Sequence, residues 1–254
     1  MARGVVNWHI GRCGSSVLGA LLAQHPSVVY SNEIYSRYMP RRRGNSDLPS
    51  LESVLEQAEL ALSRDALHFF EVKHLPEQNL GLYPGLNVND WLSLFFLKGY
   101  DKHILLTRRN GLRRIVSHLR AARSGQYVLF NSSSRQNGLV EVPLEGIVHG
   151  FGCRTLLGWL EEYERGHAEV KKCLTSFKEM HPDFSWLELV YEDHIEANPR
   201  EAYRAVCSFL GLYEFEVDLH HQKFSPGGMT GLISNFEEVK HCLSPTRFAW
   251  MLSD

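Results

Sequence analysis

Arg12, Gly14, Ser15 and Ser16 stand between an apolar run (Val5, Val6, Trp8, Ile10) and a helical apolar pattern (Val17, Leu18, Leu21, Leu22). Glycines, hydroxyls and a cation in that place make a strand, a tight turn and a helix N-terminus. Such a terminus carries unpaired N–H groups and partial positive charge, so Gly11-Arg12-Cys13-Gly14-Ser15-Ser16 reads as an anion cradle. Other chemistry-bearing residues fall after further apolar runs: Lys73-His74 after Phe69–Val72, Arg109 after residues 103–107, and Tyr191 after Trp186–Val190. Ser117 lies eight residues beyond Arg109. About two helical turns of spacing let that cation and hydroxyl converge on one phosphate.

The ATP-binding loop G-x-x-x-x-G-K-[ST] is absent, because Ser15-Ser16 follow Gly14 and no lysine lies in the loop. The dinucleotide fingerprint G-x-G-x-x-G also fails. Gly19 stands where a cysteine phosphatase loop needs its arginine, so Cys13 reads as a small loop residue rather than a nucleophile.

Alternating elements must position these groups. Strands are expected at 5–10, 27–30, 69–73, 103–107 and 186–190, with helices at 16–24, 50–63, 91–96, from 111 onward and at 153–179. Asn198-Pro199-Arg200-Glu201 starts another helix, with Asn as cap and Pro at its first position, and Gly211 ends it. A last helix begins near Asn235. Strand–helix alternation predicts an α/β class: three layers, a mostly parallel central sheet and helices on both faces. Ligands of such sheets bind at the carboxyl ends of strands, where the residues above fall. Residues 124–152, rich in Ser, Gly and Asn, read as a lid or substrate loop within a single domain spanning 1–254. Arg113, Arg114 and Arg120 read as a basic solvated helix face. Tyr35, Tyr38, Tyr127 and Phe130 could stack an acceptor ring or merely pack.

The formal net charge of −2 gives no bulk case for nucleic acid. No apolar run approaches the ~20 residues of a membrane span. Five cysteines, odd in number and without metal spacing, fit reduced thiols in a cytoplasmic protein. No secretory leader pattern is expected at the N-terminus.

Arg12-x-Gly14-Ser15-Ser16-x-Leu18, Lys73-His74-Leu75-Pro76, Arg109 with Ser117, and Tyr191-Glu192-Asp193 ahead of a helix ending Phe209-Leu210-Gly211-Leu212 together resemble the PAPS-dependent sulfotransferases. Ile233-Ser234-Asn235 and the closing Thr246–Leu252 look like bacterial members related to carbohydrate and Nod-factor sulfotransferases. The resemblance implies a P-loop-like sulfotransferase fold and PAPS as sulfuryl donor, with no metal. The acceptor would be the hydroxyl, less readily the amine, of a small metabolite or carbohydrate. It implies that Arg12, Cys13, Gly14, Ser15, Ser16 and Val17 hold the 5′-phosphosulfate, Arg109 and Ser117 the 3′-phosphate, and Tyr191 the adenine. Lys223 would lie over the 3′-phosphate, and Lys73 would bridge sulfate and phosphate. Val17 replaces the tryptophan that stacks on adenine in eukaryotic members, and Arg12 replaces a common lysine. Glu33 and His74 both remain candidates for the base. A P-loop kinase and a non-catalytic nucleotide-binding module are the alternatives. Oligomeric state and acceptor identity are open.

Overall fold

The computed structural model describes residues 4–39, 48–60, 62, 66–127, 138–220 and 227–253. In chain order these form β1 (Gly4–His9), α1 (Ser15–Leu22), β2 (Val28–Tyr30), α2 (Leu51–Glu59), β3 (Leu67–Lys73), α3 (Val88–Leu97), β4 (Lys102–Thr107), α4 (Gly111–Ser124), β5 (Ile147–His149), β6 (Gly152–Arg154), α5 (Leu156–Met180), β7 (Ser185–Val190), α6 (Tyr191–His194), α7 (Pro199–Leu210) and α8 (Phe236–Leu243). Among the described residues, five strands make one sheet in the order β2-β3-β1-β4-β7. Every neighbouring pair in it is parallel. The α/β architecture expected from alternation is therefore present.

Strand residues alternate faces with period two. Val5, Phe69, Ile104 and Leu106 enter one core with α1, α4, α7 and α8. Val6, Trp8, Phe70, Val72 and Leu105 enter a second with α2 and α3. The long helix α5 serves both: Leu156, Trp159 and Leu160 join the first, and Val170, Leu174 and Phe177 the second. Helix ends follow their sequence signals. Asn198 caps α7 by accepting from the Arg200 N–H at 3.2 Å, and Gly211 closes it in the left-handed conformation.

One expectation about the chain after α4 changes. Residues 152–154 are not the start of a helix. They pair antiparallel with Ile147–His149, and α5 begins after Thr155, whose hydroxyl caps it by accepting from the Gly158 N–H. The segment ahead of that hairpin is tied to the tail. Val140 bridges Ile233, and the Asn235 side chain both accepts from the Val142 N–H at 2.9 Å and donates to its carbonyl at 3.0 Å. Residues 128–137 of the expected lid lie outside the described residues.

All five cysteines are free thiols. Among the described residues no helix is long and apolar enough to cross a membrane.

Candidate active site

Backbone builds the cradle between β1 and α1. Gly11 (φ 79°), Arg12 (φ 58°) and Gly14 (φ 86°) are left-handed. Glycine adopts this freely, whereas Arg12 carries strain on the order of 1 kcal/mol. A Cβ on Gly14 would also lie 2.9 Å from Ile195 Cγ2 and 3.1 Å from Tyr191 Cδ2, so this position has no room for a side chain. The Gly14 carbonyl accepts from the Val17 and Leu18 N–H groups at 3.1 Å. The N–H groups ahead of these have no intrahelical acceptor and suit an anion. Ser15 is buried, while Ser16 and Val17 are half-buried. The Cys13 thiol is buried and donates to the Gly11 carbonyl at 3.3 Å. Burial pushes its pKa up, which suits a packing residue rather than a nucleophile.

Arginines crowd this turn. Arg12 Nε donates to the Ser117 hydroxyl at 3.0 Å, and its Nη1 to the Tyr127 carbonyl. Burial, then the guanidiniums of Arg108 and Arg114, pull the Arg12 pKa down to about 10. It is still charged at neutral pH, at a cost that an incoming anion relieves. Arg108 donates to the Arg12 carbonyl at 3.0 Å and lies 4.1 Å above the Tyr191 ring. Sequence reasoning did not single out Arg108, and its only signal was adjacency to Arg109.

Arg114 corrects an expectation: it is fully buried, not part of a solvated face. Its Nε donates to the Gly11 carbonyl at 2.9 Å and its Nη2 to the Ile10 carbonyl. The guanidinium lies 4.0 Å over the Tyr163 ring. These partners offset its desolvation. Arg114→Met is expected to cost about 3 kcal/mol in chemical denaturation, because both carbonyls lose a charged donor inside the protein. A loss no larger than that of a surface arginine would contradict this role.

Lys73 and Glu33 meet beside the cradle, with Nζ and Oε2 2.7 Å apart. The Lys73 chain runs past Gly11, its Cε 3.3 Å from where a Gly11 Cβ would stand. Burial raises the Glu33 pKa, but Lys73, by charge and by hydrogen bond, and the hydrogen bond of Ser36 oppose it and leave the carboxyl below its usual value. His74 is next along the chain, just past the end of β3. It is buried, both ring nitrogens lack hydrogen-bond partners, and its ring meets that of His167 on α5 at 5.1 Å.

Arg109 and Ser117 have different partners. The Arg109 guanidinium grips the Asp193 carboxylate through both nitrogens, at 2.8 and 2.5 Å. Ser117 faces Arg12. Glu192 caps the start of α4 by accepting from the Arg109 and Asn110 N–H groups at 3.0 Å. Tyr191 is half-buried against Gly14 and Arg108. Tyr35 and Tyr38 are core residues, with Tyr35 packed 4.8 Å from Trp91. Tyr127 is exposed. Lys223 and Phe130 lie outside the described residues.

His9, Glu33 and Glu71 bring one potential ligand atom each within 4.8 Å of one another. The tautomer argues against a metal there. His9 Nδ1 accepts the Gly11 N–H at 2.9 Å, so the proton of the neutral ring sits on Nε2, 3.2 Å from Glu71. That nitrogen has no lone pair to offer.

No family model matches the chain, and no curated protein matches it. Solved structures do. A sulfotransferase from Alicyclobacillus acidocaldarius is similar at 14% identity and TM-score 0.49, over 99% of this chain and 95% of that one. The sulfotransferase domain from the curacin biosynthetic pathway is similar at 13% and 0.46, over 91% and 82%. A sugar kinase from Janibacter sp. HTCC2649 is similar at 10% and 0.41, over 84% and 96%. At these identities and scores, function must be argued from the chemistry of the site.

Proposed function

We propose that this chain is a sulfotransferase, moving a sulfuryl group from PAPS to a hydroxyl, less readily an amine, of a small metabolite or carbohydrate and releasing PAP. One observation carries the reading. A left-handed turn at a helix N-terminus is flanked by Arg12 and by Lys73, and Lys73 holds a carboxylate, Glu33, at 2.7 Å. An anion seat, a cation for the leaving oxygen and a base for the acceptor proton are what in-line sulfuryl transfer needs.

In this scheme the acceptor oxygen attacks sulfur and Glu33 takes its proton. The bond from sulfur to the bridging phosphate oxygen breaks, and its electron pair stays on that oxygen. Lys73 and Arg12 stabilise the charge that develops there, and positioning supplies much of the rest. Glu33 is preferred to His74 as base because it adjoins Lys73, whereas the ring nitrogens of His74 are sealed in the interior. Ser15 and Ser16 bind the 5′-phosphosulfate, Tyr191 the adenine, and Arg109 with Ser117 the 3′-phosphate.

Asp193 then competes with the 3′-phosphate for Arg109. An exposed ion pair is worth about 0–1 kcal/mol. Asp193→Ala is therefore expected to tighten PAP binding up to about 5-fold and to leave adenosine 5′-phosphosulfate, which lacks that phosphate, unchanged. An equal change for both ligands would remove Arg109 from the 3′-phosphate. The reaction itself is tested by supplying PAPS with extracted metabolites and reading products by mass. An acceptor gaining one sulfate is expected, and no gain across metabolites and sugars would contradict the proposal.

A further inference from the structure

Beneath the cradle lies a buried pair that the reaction scheme does not use. His9 and Glu71 are each 0% exposed. They come from adjacent parallel strands, with His9 in register with Lys73 and Glu71 in register with Asn7. The Tyr30 hydroxyl donates to Glu71 Oε1 at 3.1 Å, and His9 Nε2 lies 3.2 Å from Oε2. His9 Nε2 and Glu71 Oε2 stand at ion-pair distance without hydrogen-bond geometry, and a carboxylate this deep costs folding free energy. The chain of contacts ends on the backbone of the turn, where His9 Nδ1 accepts the Gly11 N–H at 2.9 Å.

Gly11 is the first left-handed residue of the cradle. Its N–H is held by His9 and its carbonyl by Arg114 Nε at 2.9 Å. With both peptide planes pinned, the direction in which Arg12 leaves the turn is fixed. His9 has no free acceptor left for a substrate proton, since Nδ1 is occupied and Nε2 carries hydrogen.

We propose that His9, packed beside Glu71, is a positioning residue that sets the shape of the anion cradle by holding the Gly11 N–H. Its consequence for donor affinity rests on the sulfotransferase reading; its consequence for the Gly11 amide does not.

The test contrasts two variants of similar volume. His9→Asn places an acceptor where Nδ1 stood, within reach of the Gly11 N–H. His9→Gln places its polar atoms toward Glu71 and leaves Gly11 without a partner. PAP affinity is measured by calorimetry and Gly11 amide exchange by NMR, on variants whose circular dichroism shows them folded. His9→Asn is expected to bind PAP within about 3-fold of the parent and to keep the amide protected. His9→Gln is expected to lose roughly 10-fold or more and to exchange that amide faster, as a stranded N–H requires. Equal PAP losses in both variants, or equal protection of the amide, would overturn the proposal. If the parent protein binds no PAP, the functional reading fails, and the amide contrast alone decides the role of His9.

Discussion

Lys73→Met is expected to lower kcat for sulfuryl transfer by roughly 10²–10³-fold, the usual loss when one preorganised charge is removed from a developing oxyanion. The donor KM should rise far less, since Arg12 and the helix N-terminus still hold the ground-state anion. The pH profile should also move. Lys73 is the leading attraction that keeps the Glu33 carboxyl low against its burial. In the parent protein Glu33 is then ionised throughout the neutral range, and the acid limb of kcat/KM lies below the ordinary carboxylate value of 4.5. Removing Lys73 leaves burial unopposed by its main partner, so the carboxyl pKa rises and the acid limb moves to higher pH. Lys73→Arg, which keeps the charge, should restore part of the rate and return the limb. An acid limb that Lys73→Met leaves unmoved would contradict Glu33 as the base.

Acid lability is the second large effect. Burial holds His103 and His167 down to about 3, and His74 and His149 well below 6.5. The folded forms are neutral where the unfolded chain binds protons. Stability is therefore fully present above pH 6.5 and is lost as pH falls toward the folded values. At pH 5 His103 and His167, both held near 3, each cost about 2 kcal/mol, from about 1.5 units at 1.36 kcal/mol each, and His74 and His149 act in the same direction. His103 and His167 alone would remove a substantial part of the ~5–15 kcal/mol that holds a typical domain together. Denaturant midpoints should drop steeply between pH 7 and pH 5. Replacing His167, held near 3, by Leu should flatten that dependence by about 2 kcal/mol. A stability that is level across this range would contradict the neutral, sealed imidazoles.

Much of the scaffold was legible because its signals are local. Asn198-Pro199 opens α7 and Gly211 closes it. Leu112, Ile115 and Val116 mark the buried face of α4. The tight turn was legible from Gly11 and Gly14, whereas the ion pair of Glu33 with Lys73, which joins the ends of two neighbouring strands, was not expected. The rest depended on contacts distant in sequence. Arg114 looks like one member of a basic helix surface until the Ile10 and Gly11 carbonyls, over a hundred residues away, are placed against it. The hairpin at Ile147–Arg154 has strands of three residues, too short for periodicity to register. His9 and Glu71 did leave a trace. Asn7 and His9 alternate with Val6 and Trp8, and Glu71 and Lys73 with Phe70 and Val72. Polar residues at period two on both strands that flank the cradle mark one polar stripe on the sheet. The partner of Arg109 was not legible, because an exposed arginine after a strand has many possible carboxylates within reach.

The central claim is that the cradle holds the 5′ end of a 3′-phosphorylated adenosine donor. Calorimetric titration of the wild-type chain with PAP, adenosine 5′-monophosphate and ATP with Mg²⁺ tests it most directly. Saturable one-to-one binding of PAP is expected, at least about 10-fold tighter than the monophosphate, with no comparable heat from ATP with Mg²⁺. Preference for ATP with Mg²⁺, or no distinction between PAP and the monophosphate, would contradict it.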